Sequence, residues 1–120
     1  MKKIVPFILC LISMAVSAQV QNLTSIITPN PFEETSSITI TINGNSVNES
    51  AWGITDNALY LWTWSYDTND LNGIDCPTNG TWTSSNEVNK FTYNAISDTY
   101  TKTFIPTNFY DRTGIGRIGY

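Results

Sequence analysis

Residues 37–43 alternate strictly between polar and apolar side chains, a period of two that only an extended strand can use. The segment reads Ser-Ile-Thr-Ile-Thr-Ile-Asn, so Ile38, Ile40 and Ile42 share one face of a strand and the polar side chains share the other. After Val20 no apolar period of 3.6 residues continues for a useful length, and short β-rich runs are separated by Asn, Gly, Asp, Ser and Pro. This pattern of short β-rich runs predicts an all-β fold.

The same alternation of β-rich runs and turn residues predicts five or six short strands. They are expected over residues 23–28, 37–43, 59–66, 91–94 and 100–105, with the start of another at 115–120. Residues 67–85 form a long polar loop, and residues 106–110 leave room for one helical turn. Strands of this length and spacing predict an antiparallel β-sandwich. Because the sequence ends inside an apparent strand, we expect a fragment that lacks the last strand of its domain.

The first 18 residues have the pattern of a secretory signal peptide. Two lysines supply the positive start, residues 4–16 are a short apolar run, and Val16-Ser17-Ala18 places small residues at the cleavage position. The run is shorter than the roughly 20 apolar residues that a membrane-spanning helix needs. The alternative is a membrane anchor or a buried N-terminal helix. Cleavage after Ala18 predicts a secreted or cell-surface protein whose residues 19–120 form a single domain without a membrane span.

Charge and residue usage after cleavage argue against several functions. Loss of the two N-terminal lysines leaves four basic and ten acidic side chains, a formal charge of −6, which disfavours nucleic acid and anionic membranes. The chain has no histidine, the usual catalytic base and a common metal ligand. Cys76 is the only cysteine left, so no internal disulfide can form, and we expect a part-buried thiol.

Aromatic residues recur at every second position of the strand predicted over residues 59–66. Tyr60, Trp62, Trp64 and Tyr66 share one face, and the leucines, threonine and serine between them share the other. Such a row presents a flat apolar surface on which the C–H faces of sugar rings can stack. The alternative is that these rings are core, because β-sandwiches often bury a tryptophan on the third strand.

Two further tryptophans, Trp52 and Trp82, lie in polar stretches with glycines nearby. Either they cover the end of the core, or they are stacking platforms carried on loops, which are a common place for binding surfaces in a sandwich. For Trp82 the second interpretation would place Asn79, Thr83 and Asn86 beside the ring as partners for hydroxyl groups.

The loop after the aromatic strand carries candidate polar ligands. Asp67 and Asn69, together with Asn79, are expected to hydrogen-bond sugar hydroxyls. A structural Ca²⁺ between Asp67 and Asp75 is a weaker alternative to a solvated loop, because the spacing does not match the calcium-loop pattern. No other cofactor or metal is expected. Hydrolysis of a glycoside would need two carboxylates in a cleft with separated pKa values, which a wet loop does not supply, so we expect no enzyme.

Four segments of the chain, taken in order, carry a family resemblance: Pro29-Asn-Pro-Phe32, residues 37–42, Tyr60-Leu-Trp-Thr-Trp64, and the stretch from Tyr100 to Tyr120. This succession resembles the immunoglobulin-like N-terminal modules of secreted and surface polysaccharide-utilisation proteins of Bacteroidota, which include starch-binding proteins and modules ahead of amylase-type catalytic domains. The resemblance implies an immunoglobulin-like β-sandwich with one more strand than this sequence holds. It also implies sugar stacking on Tyr60, Trp62 and Trp64.

The leading hypothesis is therefore a non-catalytic carbohydrate-binding module for starch-type α-glucan, with Tyr60, Trp62, Trp64 and Trp82 as stacking residues. The second hypothesis is a structural immunoglobulin-like spacer or adhesion domain with no ligand of its own. A fragment of a glycoside hydrolase is a distant third. The expected partners are a polysaccharide or oligosaccharide and a catalytic or anchoring domain of a longer protein.

Overall fold

The computed structural model describes residues 22–120, whose regular secondary structure is mostly short strands in two antiparallel sheets. The predicted signal peptide, residues 1–18, lies outside the described residues. The strands are β1 (Ser25–Thr28), β2 (Ile38–Asn43), β3 (Trp64–Asp67), β4 (Ile74–Asp75), β5 (Thr92–Asn94), β6 (Thr99–Phe104) and β7 (Ile115–Gly119). The helical elements are α1 (Glu49–Trp52), α2 (Pro106–Phe109) and 3₁₀ turns at Gly44–Ser46 and Glu87–Asn89. The all-β prediction is confirmed.

Each sheet is antiparallel throughout. One sheet has the strand order β1-β2-β6-β5 and the other has the order β4-β3-β7. In the first sheet Ile42 lies opposite Tyr100, and in the second Ser65 lies opposite Ile118. The chain crosses between the sheets after β2, after β4 and after β6, so side chains from both sheets can meet in one interior.

One hydrophobic core takes residues from both sheets. Ile38, Ile40 and Ile42 are buried, as the alternation in residues 37–43 predicts. Further members come from β6, from β7 and from the segments that precede β3 and β5; they include Tyr100, Phe104, Ile115, Ile118, Leu59, Leu61 and Phe91. Burial of this apolar surface is the main stabilising contribution within residues 22–120, whose single cysteine, Cys76, is a free thiol.

Most of the predicted strands lie near their expected positions. Residues 23–28, 91–94, 100–105 and 115–120 correspond to β1, β5, β6 and β7, and the helical turn allowed for in residues 106–110 is α2. The polar loop predicted over residues 67–85 is not wholly a loop, because it contains β4 and the buried thiol of Cys76. Within residues 22–120, no helix is long and apolar enough to cross a bilayer.

The strand predicted over residues 59–66 is the main correction. Strand β3 begins only at Trp64, and the preceding residues take part in a ladder through a single bridge between Tyr60 and Lys90. Residues 59–63 lie where no full neighbouring strand is present. Their main chain finds other partners, and these shape the candidate site.

Candidate functional site

The two-residue alternation in residues 59–66 is present although most of the segment is not in a sheet. Leu59, Leu61, Thr63 and Ser65 are buried, whereas Tyr60, Trp62, Trp64 and Tyr66 are each half-buried. The four rings are thus neither core, as one alternative held, nor an open strip, as the other held. What covers each ring differs along the segment.

Side-chain amides take the place of a neighbouring strand beside residues 61–63. The backbone carbonyl of Asn89 accepts the N–H of Leu61 at 2.9 Å, and its Nδ2 donates to the Leu61 carbonyl at 2.8 Å. The Oδ1 of Asn79 accepts the N–H of Thr63 at 3.1 Å, and its Nδ2 donates to the Thr63 carbonyl at 2.7 Å. Both asparagines are buried, so these bonds hold the main chain extended in a dry environment.

The buried hydroxyl of Thr63 fixes the same segment on its inner side. It donates to the carbonyl of Gly119 at 2.6 Å and accepts from the Tyr110 hydroxyl at 2.6 Å. Burial raises the pKa of Tyr110, so its hydroxyl stays protonated and can act as the donor. With the inner side chains locked in this way, the outward direction of Trp62 is set by the pleat rather than by contacts of the ring itself.

Trp82 stands at the tip of a two-residue hairpin and stacks on Trp62. The hairpin is closed by two hydrogen bonds between Thr81 and Ser84, and Gly80 before it has a φ of 46°, a conformation that favours glycine. The indole rings of Trp62 and Trp82 lie parallel, with centroids 4.8 Å apart and an angle of 5° between their planes. Trp82 is nevertheless 87% exposed, so stacking occupies one face of its ring and the remainder is open to solvent.

Two adjacent depressions share Trp82 as a wall. The first, called here the Trp62 depression, is lined by Tyr60, Leu61, Trp62, Asn79, Thr81, Trp82, Ser85, Asn86 and Asn89. The second, called the Trp52 depression, is lined by Trp52, Gly53, Ile54, Thr55, Ala58, Leu59, Tyr60, Trp82 and Ser85. No residue in either lining carries a charge. Beneath the first depression, the buried Oδ1 of Asn89 has no hydrogen-bond partner within residues 22–120.

Tyr60 belongs to both depressions and is held in place by a carboxylate. Its hydroxyl donates to Oε1 of Glu87 at 2.5 Å, and the ammonium of Lys90 lies 5.7 Å from the centre of its ring. The hydrogen bond to Glu87 raises the pKa of Tyr60, with a smaller effect of desolvation in the same direction, so the phenol is neutral at physiological pH. Glu87 opens a 3₁₀ turn whose Asn86 cap accepts the N–H of Val88, and this turn places Asn86 at the rim.

The other two rings of the segment lie against β7. A Cβ at Gly119 would overlap the indole of Trp64, so glycine at this position allows the ring to approach the neighbouring strand closely. The guanidinium of Arg117 lies 3.9 Å from the centre of the Tyr66 ring and also pairs with Asp70. A cation over an aromatic face is attracted by the ring quadrupole. Trp64 and Tyr66 therefore serve the packing of the second sheet.

The carboxylate of Asp67 organises its own loop. Its Oδ1 accepts the N–H groups of Asn69 and Leu71 at 2.9 and 3.0 Å, and its Oδ2 accepts Nδ2 of Asn72 at 2.6 Å. The Leu71 N–H, followed by the Asn72 amide, holds the pKa of Asp67 below its usual range. Within residues 22–120 no group of three or more His, Cys, Asp or Glu side chains is placed to hold a metal ion. Both carboxylate oxygens of Asp67 are thus used within the loop.

The structure divides the seven residues predicted for the site. It brings together Tyr60, Trp62 and Trp82, with Asn79 in the wall of the same depression. The Asn79 amide binds the Thr63 main chain and is only 7% exposed, so its role in the structure is to hold the segment. Asp67 ends β3 and Asn69 follows it. Both lie five or more residues beyond Trp62, which corresponds to about 16 Å along an extended chain.

Sequence reasoning did not place Ser85, Asn89 or Glu87 at the site, and it assigned no definite role to Trp52. Asn86 was one usable signal for the position of Glu87. Asparagine is a typical cap residue, and a cap at Asn86 would place Glu87 in the first turn of a short helical element. Asn89 and Leu61 are 28 residues apart in the sequence, so no local sequence pattern could predict the hydrogen bond between them. Comparison with family models, curated proteins and solved structures gives no significant match to this chain.

Proposed function

We propose that this protein is a non-catalytic glycan-binding module, and that it binds a starch-type α-glucan on the outer surface of Trp82 and in the depressions beside it. The observation that carries the proposal is the geometry of Trp82. Its ring is 87% exposed, yet parallel stacking on Trp62 and a closed hairpin hold it in one orientation. A large exposed indole that is fixed in this way has little conformational freedom to lose on binding.

The linings of the two depressions fit a neutral, hydroxylated ligand. The C–H face of a pyranose ring stacks on an aromatic face, while its hydroxyls need partners at the edge. Ser85 and Asn86 supply such groups next to Trp82. The linings are uncharged although the whole chain has a formal charge of −4, so a neutral sugar suits them better than an anionic one.

The wider setting of the proposal comes from the sequence. The signal-peptide pattern favours a location outside the cell or on its surface, and the resemblance to immunoglobulin-like modules favours a starch-type ligand and a catalytic or anchoring domain as a partner. The two antiparallel sheets with a common core are compatible with that sandwich. A structural spacer is the second candidate, and it is favoured by the packing role of Trp64 and Tyr66.

The test is binding of soluble amylopectin and maltoheptaose by the purified protein and by its Trp82→Ala variant. We expect Trp82→Ala to weaken binding at least tenfold, since loss of one aromatic stack corresponds to about 1.4 kcal/mol. Tyr120→Ala is the matched control, because it removes another exposed aromatic ring outside both depressions and should leave affinity unchanged. Far-UV circular dichroism checks that both variants fold. Equal affinity of wild type and Trp82→Ala would show that the glycan does not bind at Trp82, and no binding by the wild type would leave the spacer function.

A further inference from the structure

We infer that Trp52 and Trp82 form a second sugar subsite, so that the ligand is bound through an internal stretch of a glycan chain that passes over Trp82. This inference rests on the proposed function and extends it from one stacking platform to two. It excludes recognition of a single sugar or of a chain end as the main mode of binding.

The continuity of the two depressions carries the first step. Tyr60, Trp82 and Ser85 line both of them, so these residues form the boundary between the two. The most prominent part of this boundary is the indole of Trp82, which is 87% exposed. A chain that lies in one depression can therefore continue across the Trp82 ring into the other.

Trp52 provides the aromatic wall on the far side, and the fold holds it there. It is the last residue of α1 and is 47% exposed. The Asn48 side chain accepts the N–H of Ala51 at the start of this turn, and Gly53 with a φ of 66° ends it. A single turn of helix is not stable alone, so caps and tertiary contacts must fix it.

A buried residue supplies the tertiary contact. The hydroxyl of Tyr100, whose side chain is fully buried, donates to Oε1 of Glu49 in α1. Desolvation and the hydrogen bond to Glu49 raise the pKa of Tyr100, so this donor keeps its proton over the physiological range. The turn that bears Trp52 is therefore tied to the hydrophobic core, although Trp52 itself is 47% exposed.

The chemistry of the combined surface defines the ligand class. Trp52 and Trp82 offer two apolar ring faces, and Thr55, Ser85 and Asn86 offer hydroxyl and amide groups around them. Such a surface fits at least two consecutive neutral sugar rings of one chain. A charged polysaccharide would bring its anions against uncharged linings.

The experiment measures how affinity depends on chain length, by calorimetric titration of the purified protein with glucose, maltoheptaose and β-cyclodextrin, a cyclic α-glucan without chain ends. We expect maltoheptaose to bind at least tenfold more tightly than glucose, because a single sugar ring can stack on only one indole, and β-cyclodextrin to bind as well. In Trp52→Ala this length preference should fall to about twofold, because the second stacking platform is lost. Tyr120→Ala should preserve both affinities. Alanine is a good helix former, so the turn should persist in Trp52→Ala.

The outcomes separate the two proposals. If Trp52→Ala keeps the full preference for maltoheptaose while Trp82→Ala weakens every ligand, the second subsite is wrong and glycan binding stands. If β-cyclodextrin does not bind although maltoheptaose does, recognition depends on a chain end and the inference is also wrong. If wild-type protein binds none of the three sugars, the α-glucan function and the second subsite both fail.

Discussion

The two halves of the aromatic segment have the same sequence pattern and different surroundings. Tyr60 and Trp62 precede β3, where the main chain is held by the buried amides of Asn79 and Asn89. Trp64 and Tyr66 lie within β3 and pack on residues of β7. A ring inside a sheet has strand neighbours whose side chains can cover it. A ring outside the ladder lacks them, and here it joins an exposed hairpin instead.

The difference shows how a period of two can be used for two purposes in one segment. In both halves the pleat turns alternate side chains away from the core. In the second half Gly119 and Arg117 then cover the rings, which stabilises the sheet. In the first half the ring that meets Trp62 is Trp82, which leaves more indole surface facing solvent. The comparison can be tested by removing what supports each half.

The largest effect is expected for Asn79→Ala, which removes the amide that replaces a strand beside Trp62. The Thr63 N–H would lose its acceptor in a buried environment, and the Thr63 carbonyl would keep only the N–H of Cys76. We expect a loss of about 2–4 kcal/mol in the free energy of unfolding. Urea denaturation measures it, with exposed Asn69→Ala as the control expected within about 0.5 kcal/mol of wild type. A neutral result for Asn79→Ala would show that amide pairing does not hold this half.

Trp64→Ala is expected to destabilise the protein less than Asn79→Ala does, but more than Trp82→Ala does. Removing the half-buried Trp64 indole uncovers Gly119 and should lower the free energy of unfolding by about 2 kcal/mol. Trp82→Ala should cost at most about 1 kcal/mol, because this substitution removes little packing apart from the stack on Trp62. The same denaturation curves measure both variants. A Trp82→Ala variant as destabilised as Trp64→Ala would mean that both halves are structural, which is the spacer hypothesis.

The smallest effect concerns the loop after Tyr66. The fold lowers the pKa of Asp67, so the carboxylate stabilises the folded state above the ordinary aspartate pKa of about 4, and this contribution is lost as the pH falls through the lowered value. The difference in thermal midpoint between wild type and Asp67→Asn should therefore be largest near neutral pH and shrink below pH 4. A difference independent of pH would argue against a charge effect, and a change in glycan affinity at neutral pH would restore Asp67 to the site.

Much of the fold could be predicted from local pattern. The buried isoleucines of β2, the positions of β1, β5, β6 and β7, and the turn α2 all follow from periodicity and from turn residues. The error at residues 59–66 has a physical cause. An alternating segment predicts a strand whether its hydrogen-bond partner is another strand or a pair of asparagine side chains. The local sequence shows only which side chains of the segment share a face, and it does not show what lies beside the segment. Asn79 and Asn89 are distant in sequence from the residues that they hold.

The sequence alone determined which side chains of residues 59–66 turn away from the core, because a two-residue period follows from the geometry of an extended chain. It did not determine which of the outward rings keep a surface for a ligand. That depends on Gly119, Arg117, Trp82 and the α1 turn, which reach the rings through space from other parts of the chain. Tertiary packing decides this because exposure is a property of a ring and its neighbours together.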